Sequence, residues 1–439
     1  MDKARKAAFD TLLRIHKDAA YSNLALSAQL KNDDLDNKDS SFASAIVYTV
    51  VERLLTVDYN LSLYLKDPLK KLKPEVLTAL RIGAAQILFM DKVPSSAAVN
   101  ESVKLVKSIK SCSFASGLVN AVLRKVAANG LKLPDTDDKY KYLSIKYSCP
   151  EWLLRLWIDS YGEENTEGIL NASLGAAETV IRVNTLKTDK QKLKKMLESE
   201  GVTVKESELC ENALIIENYG AVEKLKAFTD GLFHVQGLSS QLCCEALDVK
   251  EGQTVLDMCA SPGGKSFTLA QNMNGKGELF SFDLHKHRVG LIQSGAERLS
   301  INNITAKEQD SSVYNESLPQ ADRILCDVPC SGLGVIAKKP EIKYKDREDI
   351  DKIADLQYDI LCISYKHLKI GGKLLYSTCS LNPSENENVC RKFLQNHPSA
   401  KILPIFEKIN KYSTDNMVSL MPHINGTDGF FLALFCKTE

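Results

Sequence analysis

A chain of 439 residues exceeds what one hydrophobic core ordinarily supports and implies two or three domains. Its 44% hydrophobic and 26% charged residues are those of a globular protein, and a formal net charge of zero argues against binding nucleic acid through bulk charge. A membrane helix needs roughly 18 uninterrupted apolar residues, and the best run, Leu77 to Met90, is broken by Arg81. The first residues, Met1 to Leu13, mix five charges with apolar residues and lack the core of a secretory signal, so a cytoplasmic location is expected. Twelve cysteines without a C-x-x-C pair suggest neither a disulfide framework nor a zinc site; no metal is expected.

Residues 1–132 read as an all-helical domain. Apolar residues recur at helical spacing (Ala7, Leu12, Leu13, Ile15; Val76, Leu80, Ile87, Leu88). Pro74 suits a helix start, and Gly130 suits the cap of a last helix over Ala115 to Ala128. Residues 1–130 carry 19 Lys and Arg against 13 Asp and Glu, a modest excess that a phosphate-contacting face could use. The polar stretch Pro134 to Lys139 reads as a linker. Residues 140–235 then alternate helix (Glu151 to Ala172, Asp189 to Glu200) with strand (Thr179 to Asn184, Ala213 to Glu217), as in a small α/β domain.

From residue 236 to 439 a strand–helix rhythm predicts a doubly wound, mostly parallel Rossmann-like sheet. Its strands are expected at Thr254–Met258, Glu278–Asp283, Arg323–Val328, Lys373–Thr378 and Phe430–Cys436. The first strand ends at Asp257 and runs through Cys259, Ala260, Ser261, Pro262, Gly263, Gly264 and Lys265 into a helix. A glycine turn there brings backbone amides to a ligand beyond the strand ends. The second strand ends at Asp283, nineteen residues after Gly264, a spacing that suits ribose hydroxyls. Asp310, after a further strand-like stretch, is placed to meet an adenine. The glycine spacing fits neither a dinucleotide loop nor a Walker A loop, and acidic walls would repel a polyphosphate. They suit the sulfonium of S-adenosyl-L-methionine.

Asp327-Val-Pro-Cys330-Ser-Gly and Ser377-Thr-Cys379-Ser follow two neighbouring strands, so both cysteines fall on the ligand edge. Ring-carbon methylation of cytosine needs a thiolate to attack carbon 6 and make carbon 5 nucleophilic. A protonated Asp327 could donate to ring nitrogen 3. A thiolate also needs a lowered pKa, for which Lys265, Lys338 and Lys339 are candidates. The residues alone do not rank the two thiols.

The runs Asp257-Met-Cys-Ala-Ser-Pro-Gly-Gly-Lys265, Asp327-Val-Pro-Cys-Ser-Gly332, Tyr376-Ser-Thr-Cys-Ser380 and Pro383-Ser-Glu-Asn-Glu387 resemble the motifs of RNA 5-methylcytosine methyltransferases. Leu80-Arg-Ile-Gly83, Asp91-Lys-Val-Pro94, Val99-Asn-Glu-Ser-Val103 and Gly117 to Arg124 resemble a NusB-like RNA-binding domain, and Arg182-Val-Asn-Thr185 a small linking domain. The combination resembles the RsmB (Sun/Fmu) group. That resemblance implies methylation of 16S ribosomal RNA at a cytosine of the position-967 type, on naked RNA or a partly assembled small subunit, by a monomer. It implies Cys379 as nucleophile, Cys330 as an aid to product release, and Cys259 to Lys265, Asp283, Asp310 and Asp327 around the cofactor. Ser261 and Ser384 stand where Ala and Glu are usual. Lys338-Lys339 and Tyr344 stand where Arg-Arg and Trp are frequent, which would weaken a bidentate phosphate contact or a stacking platform. Transfer RNA is the alternative substrate. A non-catalytic RNA-binding or antitermination factor is the alternative class, one that would not need these motifs.

Overall fold

The computed structural model describes residues 2–18, 22–33, 35–175, 177–406 and 412–439. The chain divides into two compact units, one of Met1–Gly175 with Ile336–Lys345, the other of Ala176–Val335 with Asp346–Glu439.

The first unit is helical: α1 (Lys3–Asp18), α2 (Ser22–Asn32), α3 (Asn37–Glu52), α4 (Leu54–Ser62), α5 (Pro74–Phe89), α6 (Ser95–Ser108), α7 (Ser116–Asn129), α8 (Lys139–Tyr147) and α9 (Glu151–Ala172). Local chemistry sets the ends. Asp36 caps α3 by accepting from the Asp39 amide at 2.7 Å, Pro74 opens α5, and Gly130 (φ 64°) closes α7. Helix α5 is apolar over most of its surface because it runs through the core, with Leu80, Ile82, Ala84 and Ala85 at zero exposure, while Arg81 pairs with Asp58 at 2.7 Å. At Gly83 a Cβ would collide with Leu123, so glycine lets α7 approach closely. Among the described residues no single helix is long and apolar enough to cross a membrane; α3 and α4 bend by 74° against one another and bury their apolar residues in this core.

The unit continues past the expected linker. The Leu55 amide donates to Ser148 Oγ at 2.8 Å, which ties the α8–α9 junction to α4. The segment Ile336–Lys345 also belongs here. Lys343 Nζ donates to the Glu52 carbonyl at 2.7 Å, and the Tyr344 hydroxyl lies 3.0 Å from Ser148 Oγ. Tyr344 packs against the helical core and is no open stacking platform.

The second unit holds two sheets. The first contains β1 (Thr179–Val183), β2 (Thr203–Glu206), β3 (Ala213–Glu217) and β4 (Phe233–Val235), antiparallel in the order β2-β3-β1-β4, with α10 (Lys190–Ser199) and α11 (Lys226–Thr229). The second sheet has nine strands among the described residues. They are β5 (Thr254–Asp257), β6 (Glu278–Asp283), β7 (Ile304–Glu308), β8 (Ala321–Asp327), β9 (Leu368–Thr378), β10 (Ala400–Leu403), β11 (Tyr412–Thr414), β12 (Met417–Leu420) and β13 (Phe430–Lys437). Its order is β11-β12-β13-β9-β8-β5-β6-β7, with β10 also on β13. Strands β5 to β9 are parallel; β13 is antiparallel to β9. Helices α12 (Leu238–Leu247), α13 (Gly264–Asn272), α14 (Lys286–Leu299), α15 (Arg347–Asp351), α16 (Ile353–Lys366) and α17 (Glu387–Asn396) accompany it. The Rossmann-like expectation holds. Strand order reverses at β5, so the ligand crevice of such a sheet falls at the carboxyl ends of β5, β6, β8 and β9.

Candidate active site

The turn after β5 is built for close approach. Gly263 sits at φ 108°, and a Cβ there would strike the Phe267 ring, so only glycine turns the chain into α13. Asp257 is buried. Its Oδ2 accepts from Ser266 Oγ at 2.6 Å, while its Oδ1 has no partner among the described residues. Burial pushes this carboxyl up to about 7, against the Ser266 hydroxyl, which favours the ionised form. Cys259 and Ala260 line the same turn, the Ala260 amide donating to the Phe282 carbonyl at 2.7 Å.

Asp283 ends β6 nearly buried and accepts from the His285 amide at 3.0 Å. Asp310 is exposed and accepts from the Ser312 amide at 2.9 Å and the Ser312 hydroxyl at 2.6 Å. Both side chains thus form local turns at the strand ends that bring them to this edge.

Asp327 ends β8 with both oxygens engaged as acceptors, Oδ2 from Lys265 Nζ at 2.7 Å and Oδ1 from Ser377 Oγ at 2.8 Å. Burial by itself would lower the pKa of Lys265, but the Asp327 carboxylate outweighs it and the ammonium is held. Lys265 is therefore committed to Asp327. Lys338 and Lys339 belong to the helical unit's segment.

Beyond β8 and β9 the two cysteines meet, Cys330 Sγ lying 2.9 Å from Cys379 Sγ. The pair with Cys379, then burial, then the charges of Cys379, Glu385 and Asp327 push the Cys330 thiol up. The Gly334 amide donates to the Cys379 carbonyl at 2.9 Å and the Gly429 amide to the Gly334 carbonyl at 2.8 Å, which stitches both cysteine loops to the start of β13. Gly334, Gly429 and the buried carboxylate of Glu385 were not singled out by spacing. Glu385 lay inside a recognised run but carried no role.

The two thiols and the Lys–Asp pair lie on the carboxyl edge of a Rossmann-like sheet, and the chain as a whole is similar to known proteins. A probable ribosomal RNA small subunit methyltransferase B of Bacillus subtilis is 36% identical over 444 residues, covering 99% of this chain and 98% of its own. The chain belongs to the RsmB/F family of 16S ribosomal RNA methyltransferases. The RsmB/F methyltransferase model matches residues 244–436, the NusB family model residues 2–128, and the RsmF/B-like ferredoxin-like domain residues 149–223. A Synechocystis relative with the same description is 31% identical over 99% of both chains. Among solved structures, PH0851 aligns over 100% of this chain and 99% of its own, with a TM-score of 0.86 and 27% identity. NSun6 from Pyrococcus horikoshii with SFG covers 66% of this chain and 98% of its own, with a TM-score of 0.61 at 23% identity, a likeness of fold.

Proposed function

We propose that this RsmB/F-family chain methylates carbon 5 of a cytosine in 16S ribosomal RNA, of the position-967 type, through a covalent Cys379–cytosine intermediate, with S-adenosyl-L-methionine as donor. The observation that carries the reading is the 2.9 Å thiol pair at the ends of β8 and β9, beside Asp327. A single thiol would suffice for packing; two in contact on the ligand edge suit attack and release.

The residues fit the donor. The glycine turn offers backbone amides, Asp257 presents a buried oxygen without a partner, and the walls are acidic, which favours a sulfonium over a polyphosphate. Asp257, Cys259 to Lys265, Asp283, Asp310 and Asp327 would hold it. When bound, it supplies an electrophilic methyl group. Cys379 forms a bond to carbon 6, and the ring's electron pair moves toward carbon 5 and nitrogen 3. Asp327 is assigned as acceptor for the exocyclic amino group and not as proton donor, because both its oxygens already accept. The Lys265 cation bonded to it stabilises negative charge developing on the ring. Carbon 5 would take the methyl group as the methyl–sulfonium bond breaks. A base then removes the carbon 5 proton, its electron pair re-forms the carbon 5–carbon 6 double bond, the carbon 6–sulfur bond breaks, and Cys379 leaves as thiolate, with Cys330 beside it to assist.

The test is transfer of labelled methyl from S-adenosyl-L-methionine to unmodified 16S ribosomal RNA, followed by digestion to nucleosides. Label in 5-methylcytidine is the expected result. Label only with transfer RNA would overturn the substrate, and label with neither would overturn the reaction.

A further inference from the structure

Glu385 lies on the turn between β9 and α17, at zero exposure, and no role assigned above uses it. Its carboxylate is surrounded by donors. Oε2 accepts from the Ser331 amide at 2.7 Å and Gln357 Nε2 at 3.1 Å. Oε1 accepts from Ser331 Oγ at 2.5 Å, Ser380 Oγ at 2.8 Å and Asn382 Nδ2 at 3.1 Å. Ser331 follows Cys330 and Ser380 follows Cys379, so the two segments that carry the thiols converge on this one group. Gln357 extends the link by donating to the Pro329 carbonyl at 2.8 Å. A buried carboxylate is costly unless donors satisfy it, and hydrogen bonds to a charged acceptor are shorter and stronger than neutral ones.

We propose that Glu385 is a positioning residue for methyl transfer: its carboxylate locks the Cys330 and Cys379 loops to one another so that the thiols stay in contact from attack to release. This rests on the reading that both thiols act in catalysis. Glu385 itself acts through Ser331 and Ser380 and touches no reacting atom.

The test joins kinetics to a readout that needs no RNA. Diamide takes two hydrogens from a thiol pair, becoming the hydrazine and leaving a disulfide, and the Cys330–Cys379 link is counted by peptide mass in the full chain. Glu385→Ala is expected to slow that cross-link and to lower kcat, each at least tenfold, with KM for RNA and for S-adenosyl-L-methionine within twofold; Glu385→Asp restores part of both. If Glu385→Ala does not fold, Ser380→Ala removes one donor and is expected to produce the same pattern at about threefold. Cross-linking at the wild-type rate overturns the proposal, as does a fall in kcat matched by an equal rise in the KM for S-adenosyl-L-methionine. Failure of the nucleophile reading shows separately, as turnover by Cys379→Ala, and leaves the cross-linking rate to judge the clamp.

Discussion

Lys265 and Asp327 meet at 2.7 Å with side chains 14% and 25% exposed. Removing one member of a buried pair leaves an uncompensated charge, at about 3–5 kcal/mol, and partial exposure here reduces that. Asp327→Asn is expected to cost about 2 kcal/mol in chemical denaturation and to abolish methyl transfer, whereas a purely structural pair would leave turnover intact. Asp257 gives a pH signature. Its folded pKa, about 7, lies above the ordinary carboxylate value of about 3.9, so the unfolded chain releases this proton first as pH rises. Its contribution to stability is therefore greatest at low pH and declines between about pH 4 and pH 7. Asp257→Asn is expected to flatten that decline, which thermal melts across the range would show.

At the scale of elements, the loops after β8 and β9 depend on Gly334. A Cβ there would collide with the Gly429 carbonyl, a backbone atom that cannot swing away. Gly334→Ala is expected to destabilise the second unit by about 2 kcal/mol and to slow methyl transfer. Much of this architecture was legible in the sequence. Helix α9 and strand β3 fall on the residues expected, although α9 is broken at Gly162 (φ 81°), and β5, β6, β8 and β9 read as apolar runs ended by Asp or Cys, because both faces of a parallel sheet are buried. The hairpin β11–β12 was not foreseen, since its strands are three and four residues long. Its turn, Asp415-Asn416, holds both residues at positive φ and was the available signal. Strand β9 begins at Leu368, five residues before the expected start, past Gly371-Gly372, and its pairing with β8 shifts register between Ala321 and Arg323. In the site, the strand-end Asp and Cys residues were readable because each motif is contiguous. The Glu385 clamp was not, because its partners Ser331 and Gln357 lie 54 and 28 residues away in the chain.

At the scale of the whole molecule, the chain leaves the second unit after Val335 and returns at Asp346. Between them Ile342 and Lys343 are buried within the helical unit. Burial lowers the Lys343 pKa to about 8. A protein beginning at residue 177 would expose this segment. Its soluble yield and Tm are expected to fall, and co-expression of residues 1–175 is expected to recover them; a shortened protein with unchanged Tm would refute this. The central claim, a cytosine held covalently by Cys379, is most directly tested with Cys330→Ala protein, 16S ribosomal RNA and S-adenosyl-L-methionine, resolved on a denaturing gel and digested to peptides. A protein–RNA adduct on the peptide containing Cys379 is expected, absent when Cys379→Ala is added. An adduct that survives that second substitution, or Cys330→Ala protein that binds RNA and has lost activity yet forms no adduct, would contradict it.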